Sequence, residues 1–175
     1  PLIVDNTIPS PYLLRPFEFG ADIVVHSTTK YISGHGNALG GVIIDSGRFN
    51  WEKSGKFSAL VEPDESYHGL SYVKNFGEAA YIVKARAHLI RDLGTTPSPL
   101  NSYLTLIGLE TLHLRMQRHS QSALKVAKYL QNHPKVEWVN YPLLENNSEY
   151  QKAQKYIPQG GSSIVSFGIK GGREE

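Results

Sequence analysis

A chain of 175 residues with 40% hydrophobic content is long enough to bury a core, either as one domain or as a domain with part of another. Its formal net charge of +2 is spread without a polybasic block, so neither nucleic acid nor an anionic membrane surface is called for. The lack of cysteine excludes disulfides and thiolate metal sites. No apolar run approaches the roughly 20 residues of a bilayer span and no signal-peptide pattern opens the chain, so the expected setting is the cytoplasm.

The first element is a short apolar run, Leu2-Ile3-Val4, that ends in Asp5-Asn6-Thr7. The link from Ser10 to Gly20 has room for a helical crossover, with Ser10 as N-cap and Pro11 at the first helical position. A second run, Ile23 to Val25, reads as a buried strand that breaks into His26-Ser27-Thr28-Thr29 and a single lysine, Lys30. Strand, crossover, strand predicts a parallel pair, which places both polar ends at one carboxyl edge of the sheet, where ligands of open α/β folds bind. A lysine at the end of a buried strand loses part of its hydration, which favours the neutral amine and a Schiff base. A lysine capping the strand in solvent is the alternative. Neighbouring strands lie about 4.8 Å apart, so Asp5 and Lys30 can approach opposite sides of one small aromatic ring. A carboxylate facing a pyridinium nitrogen and a lysine facing an aldehyde is the pairing that pyridoxal phosphate requires.

Val4-Asp5-Asn6-Thr7, the stretch Gly20 to Tyr31 and Gly34-His35-Gly36 together resemble the signature of the Cys/Met-metabolism (transsulfuration) enzymes. The resemblance implies that Asp5 pairs with the pyridine nitrogen, Lys30 forms the Schiff base, and Ser27 and Thr29 bond the cofactor phosphate. Hydroxyls suit that task because each gives one hydrogen bond to an anionic oxygen. Thr28 stands where the family more often has alanine. Thr7, two residues after Asp5 on the same side of the strand, is a further cofactor-binding candidate; its alternative is a hydrogen bond at the strand end.

After Lys30 comes the glycine-spaced loop Ser33 to Gly41, then another strand, Val42 to Asp45. The glycines follow a lysine and open a strand, which is not the context of a dinucleotide fingerprint. His26 and His35 lack a third ligand at matching spacing, so no metal is expected and both read as hydrogen-bonded scaffold residues. From Asp45 to Asn75 the chain is polar and aromatic without periodicity, which predicts a loop over an active site or a subunit contact. Asp45-Ser46-Gly47 and Tyr67-His68-Gly69 within it are similar to the O-acetylhomoserine sulfhydrylase branch of the family.

Helical spacing of Ala79, Ile82, Val83, Leu89, Ile90 and Leu93 runs to a stop at Gly94, and Thr95-Thr96-Pro97 marks a domain boundary. Ser98 and Pro99 then start a helix carrying Leu100, Leu104, Ile107 and Thr111, followed by a segment with Ala123, Val126, Ala127 and Leu130; both stripes read as core. Val136 to Val139 and Ile164 to Ile169 read as strands around a polar, helix-prone link. The abrupt start at Pro1 and the turn at Lys170 to Glu175 read as the ends of a fragment.

The expected fold is α/β, part of an aspartate aminotransferase-like, fold type I large domain (1–97) plus bridging helices and the start of a small α+β C-terminal domain (98–175). The resemblance implies γ-replacement on O-acetylhomoserine with sulfide or a thiol, and a homo-oligomer built as a dimer of dimers. Another transsulfuration enzyme, a cystathionine γ-synthase or methionine γ-lyase, and a non-catalytic fragment of such a fold are the alternatives. It further implies that the ring-stacking tyrosine lies before Pro1 and the substrate-carboxylate arginine after Glu175.

Overall fold

In the computed structural model, which describes residues 1–171, the two apolar runs form β1 (Ile3–Asp5) and β2 (Ile23–Ser27). They pair in parallel, with Ile3 opposite Ile23 and Asp5 opposite Val25. Their connection is one turn of helix, α1 (Ser10–Leu13), and a 3₁₀ turn at Pro16–Phe19 that ends on Gly20. Ser10 is not the predicted N-cap. It is the first residue of α1, in a left-handed conformation (φ 62°), and its hydroxyl oxygen accepts from the Tyr12 N–H at 3.3 Å. The crossover is held by Asn6, whose buried amide donates to the carbonyls of Ser10 (3.2 Å) and Leu14 (2.9 Å). One side chain thereby adds a second hydrogen bond to the Ser10 carbonyl, which also accepts the Leu14 N–H at 3.3 Å, and takes up the Leu14 carbonyl beyond the end of the helix.

The predicted third strand, β3 (Gly41–Asp45), lies antiparallel on the other side of β2, giving the order β1-β2-β3. Only the central strand is well covered: Ile23 and Val24 are buried, whereas Ile3 and Ile43 are 54% and 47% exposed.

The aromatic excursion is a packed layer rather than a loop. It folds into α2 (Trp51–Ser54), α3 (Ser58–Val61) and α4 (Tyr72–Phe76), which close over Trp51, Leu60 and Tyr72 together with Ile23 of β2. Trp51 stacks on Tyr81 at 5.6 Å between ring centroids, and Phe49 and Phe57 meet its ring edge-on. The predicted helix after it comprises α5 (Ala80–Lys84), a π-helical turn (Ala85–Ile90) and α6 (Arg91–Leu93), and it stops at Gly94 as expected.

Asp64 joins this helix to the excursion. Its carboxylate lies 2.7 Å from Lys84 Nζ and 3.4 Å from His88 Nδ1. The hydrogen bond from Lys84, then that from Ser66, lowers its pKa from 3.8 to about 2. A depressed carboxyl contributes stability that is present above the unfolded-state value and is lost as pH falls through the folded one. Melting temperatures recorded from pH 5 down to pH ~2 should therefore fall more steeply for the native chain than for Asp64→Asn. Parallel curves would contradict this.

Ser98 caps α7 (Pro99–Glu110) by accepting from the Asn101 N–H at 3.1 Å, as its position predicts. The stripe on α7 is not core: Leu100 is 64% exposed and Ile107 42%. This helix meets the rest of the described chain near its ends, through Asn101 and Gly108, which leaves that face outward. The following helix, α8 (Leu112–Gln131), does bury a stripe, Leu112, Met116, Ser120, Ala123 and Ala127, but of the predicted residues only Ala123 and Ala127 belong to it; Leu130 is half-buried and Val126 is exposed on another face. Beyond it, β4 (Val136–Asn140) and β5 (Ser166–Ile169) pair antiparallel, with α9 (Tyr150–Tyr156) between them in sequence. Tyr141, fully buried, directs its single hydroxyl proton at the Ser162 carbonyl (2.9 Å), with the Ser120 carbonyl as a second, longer acceptor (3.3 Å), and so ties this hairpin to α8. No helix of the described residues is long and apolar enough to cross a membrane. The end of the predicted C-terminal turn, Gly172 to Glu175, lies outside the described residues.

Candidate active site

The carboxyl edge of the β1–β2 pair gathers the residues singled out in the sequence. Asp5 is the exposed last residue of β1, and its Oδ1 accepts the Thr7 N–H at 2.9 Å. Hydrogen bonds from Thr7 hold its carboxyl below the ordinary value, with a smaller pull from His26, so Asp5 is ionised at neutral pH. Thr7 also accepts the Ser27 N–H on its hydroxyl oxygen at 2.8 Å, a clasp across the open ends of both strands. His26 is buried, and burial pushes its imidazole below the usual range, toward the neutral form. Its Nδ1 has no hydrogen-bond partner among the described residues, unlike His35, whose Nδ1 lies 2.6 Å from the Ser33 carbonyl.

Beyond Ser27 the chain turns back on itself. The Thr28 N–H donates to the Gly40 carbonyl at 3.0 Å, and the Gly34 N–H to the Lys30 carbonyl at 2.8 Å. Thr29 is bonded to Gly40 twice: its hydroxyl oxygen accepts the Gly40 N–H at 3.0 Å, and the hydroxyl donates to the Gly40 carbonyl at 3.3 Å. Glycine is needed at position 40 because an added Cβ would stand 2.6 Å from the Thr28 hydroxyl.

Lys30 is exposed, not partly dehydrated as its place after a buried strand predicts. The strand ends at Ser27, and the turn carries the lysine three residues past the covered segment. Lys30 makes no ion pair among the described residues, and it borders a cavity of about 460 Å³ shared with Ile8, Tyr31, Arg115 and His119. Ser27 opens on a different, larger cleft of about 1040 Å³ that also contains Arg86 and Asn101. The edge thus links Asp5, Thr7 and Ser27 by hydrogen bonds, sets Thr29 against Gly40, and presents Lys30 beyond them.

One residue of this region was not legible in the sequence. Arg115 of α8 donates from Nη1 to the Tyr31 carbonyl at 2.7 Å, and from Nη2 to the carbonyls of Ile32 (3.2 Å) and Gly108 (2.6 Å). Nothing in the spacing of an arginine on a polar helix face separates it from one that is merely solvated.

Comparison with known proteins agrees with this geometry. The family described as Cys/Met metabolism PLP-dependent enzyme matches residues 1–175. The O-acetyl-L-homoserine sulfhydrylase of Leptospira meyeri is 54% identical over all of this chain and 41% of its own length. A crystal structure described as an O-acetylhomoserine (thiol)-lyase from Campylobacter jejuni, with a pyridoxyl-lysine monophosphate, superposes with a TM-score of 0.88 at 40% identity; the match covers 96% of this chain and 42% of that one. The cystathionine gamma synthase of Xanthomonas oryzae gives 0.71 at 32% identity, covering 98% and 36%. The chain spans about two fifths of the length of the relatives it matches, 41% of the Leptospira protein and 42% of the Campylobacter one. A parallel β1–β2 pair with Asp5 and Lys30 at its carboxyl edge, set in the fold type I frame of these neighbours, makes this chain a member of the Cys/Met-metabolism family of pyridoxal-phosphate-dependent enzymes.

Proposed function

We propose that the whole protein catalyses γ-replacement on O-acetylhomoserine, with sulfide or a thiol as the incoming group and homocysteine or methionine as product. The observation that carries this reading is the presentation of an ionised carboxylate, Asp5, and an exposed lysine, Lys30, that makes no ion pair among the described residues, beyond the same edge of a parallel strand pair. It is supported by the higher likeness to the thiol-lyase than to the cystathionine gamma synthase. In this reading residues 1–97 are the C-terminal part of the cofactor-binding domain, and 98–175 are the bridging helices and the first part of the C-terminal domain. The partners are small molecules, the assembly is a homo-oligomer and the setting is the cytoplasm.

The residues present fit pyridoxal phosphate. Asp5 carries the negative charge that a protonated pyridine nitrogen requires, and Thr7 orients it. The Ser27 hydroxyl is uncommitted among the described residues and can donate to a phosphate oxygen, with Thr29 two residues away as the second donor. When bound, the cofactor supplies an electron-accepting ring next to the substrate α-carbon. Lys30 would hold the cofactor through its Nζ and, as a free amine, would move protons at the substrate α- and β-carbons. Acetate leaves from the γ-carbon and the sulfur adds there. Asp5 keeps the proton on the ring nitrogen throughout.

Product analysis of the whole protein with O-acetylhomoserine, O-succinylhomoserine and methionine tests the assignment. Sulfide-dependent homocysteine from the acetyl ester alone is the expected pattern, and turnover of only the succinyl ester or methionine would replace it with a synthase or γ-lyase. Asp5→Asn should lower kcat on the order of 10²-fold while cofactor content is retained, because one preorganised charge is removed and the remaining contacts stay. An unchanged kcat would remove Asp5 from this role.

A further inference from the structure

Arg115 lines the cavity beside Lys30, yet it is not offered to a ligand. Its Nη1 and Nη2 donate to the carbonyls of Tyr31, Ile32 and Gly108, and its Nε donates to the Thr111 hydroxyl at 3.1 Å. Four of the five guanidinium N–H groups are therefore committed within the chain. The lysine turn closes its own Thr28 and Lys30 carbonyls through the N–H groups of Ser33 and Gly34. The next two carbonyls, Tyr31 and Ile32, take their hydrogen bonds from Arg115.

Two glycines are shaped to this contact. A Cβ on Gly34 (φ 74°) would stand 2.4 Å from Arg115 Nη1, and one on Gly108 would stand 1.9 Å from the Ser33 carbonyl oxygen. The elbow between α7 and α8 therefore meets the lysine turn backbone to backbone, with one planar guanidinium filling the junction. A lysine ammonium has no planar fork, so it cannot hold three carbonyls in that geometry.

We propose that Arg115 is the positioning residue for Lys30: by binding the carbonyls of the two residues that follow the lysine, it fixes the peptide planes from which the side chain departs. This rests on Lys30 being the cofactor lysine, as read above. Its role is indirect, through the main chain, and it touches neither substrate nor cofactor.

The test combines hydrogen–deuterium exchange and kinetics on the whole protein. In Arg115→Met, the amides of Ser33 and Gly34 should exchange at least tenfold faster while the Tyr72 to Lys84 segment keeps its native rate. Exposed Arg118, replaced in Arg118→Met as the surface control, should change neither. In the whole enzyme kcat should fall on the order of 10²-fold with KM within about threefold, the signature of a misplaced reacting group. Arg115→Lys should also lose about tenfold in kcat at an unchanged melting temperature, and it decides the matter if Arg115→Met does not fold; wild-type kcat in that variant overturns the role. If borohydride fixes a phosphopyridoxyl group on wild-type Lys30 but exchange and kcat in Arg115→Met stay within twofold of native, this inference fails and the functional reading stands. If wild-type Lys30 takes no adduct, the functional reading fails and the positioning role falls with it.

Discussion

Lys30→Ala should abolish turnover of O-acetylhomoserine, with a loss on the order of 10⁴-fold or more, because in the proposed reading one side chain would both hold the cofactor and transfer the protons. The variant should still take up pyridoxal phosphate through Asp5 and Ser27, but borohydride should no longer fix it to the peptide that carries position 30. The geometry explains why no neighbour substitutes. The exposed Lys30 stands past a turn in which the preceding side chain, Thr29, is bonded to Gly40. The arginine that lines the same cavity, Arg115, is committed to main-chain carbonyls. Wild-type turnover in Lys30→Ala would sink the assignment.

The largest expected change in stability lies elsewhere. Tyr72 is fully buried, stacked on Tyr67 at 5.7 Å between centroids, with Lys84 Nζ 4.5 Å from its ring centre and its hydroxyl 3.3 Å from His88 Nδ1. Tyr72→Ala should cost about 3–5 kcal/mol, the range for removing a buried aromatic ring. Tyr72→Phe, which keeps the ring and removes one hydrogen bond, should cost about 1 kcal/mol. The midpoint of urea unfolding distinguishes the two, and equal midpoints for Tyr72→Ala and the native chain would mean that this cluster is not the core of the excursion.

Tyr72 also illustrates what the sequence left unread. Strands were legible where β-branched residues cluster, at Ile23 to Val25 and Val42 to Ile44, and helix limits where Ser98 or Gly94 impose them. The excursion was not, because its core forms between short helices and so carries no period; composition alone pointed to a loop. The outward stripe on α7 was misread for the complementary reason: periodicity reports which residues share a face, not whether anything covers it. At the site, the parallel pairing of β1 with β2 and the placement of Asp5 at its edge followed from strand order. The solvent exposure of Lys30 did not, since it depends on a turn held by Gly40 and Arg115, partners ten and 85 residues downstream. Hydrogen bonds to main-chain carbonyls leave no trace in spacing.

The pair of hydrogen bonds between Thr29 and Gly40 has a thermodynamic consequence for phosphate recognition. A hydroxyl that already donates to a carbonyl can serve an anion only by changing acceptors, so its contribution to affinity is the difference between two hydrogen bonds. Neutral hydrogen bonds net about 1 kcal/mol and those to charged groups about 1.5–3, which leaves roughly 1 kcal/mol for the exchange, a factor of about five to ten in affinity. The freed Gly40 carbonyl must then find water or a new donor. In the proposed reading, phosphate binding at this edge would be coupled to the conformation of the Ser33–Gly41 loop, which makes the loop a reporter of occupancy.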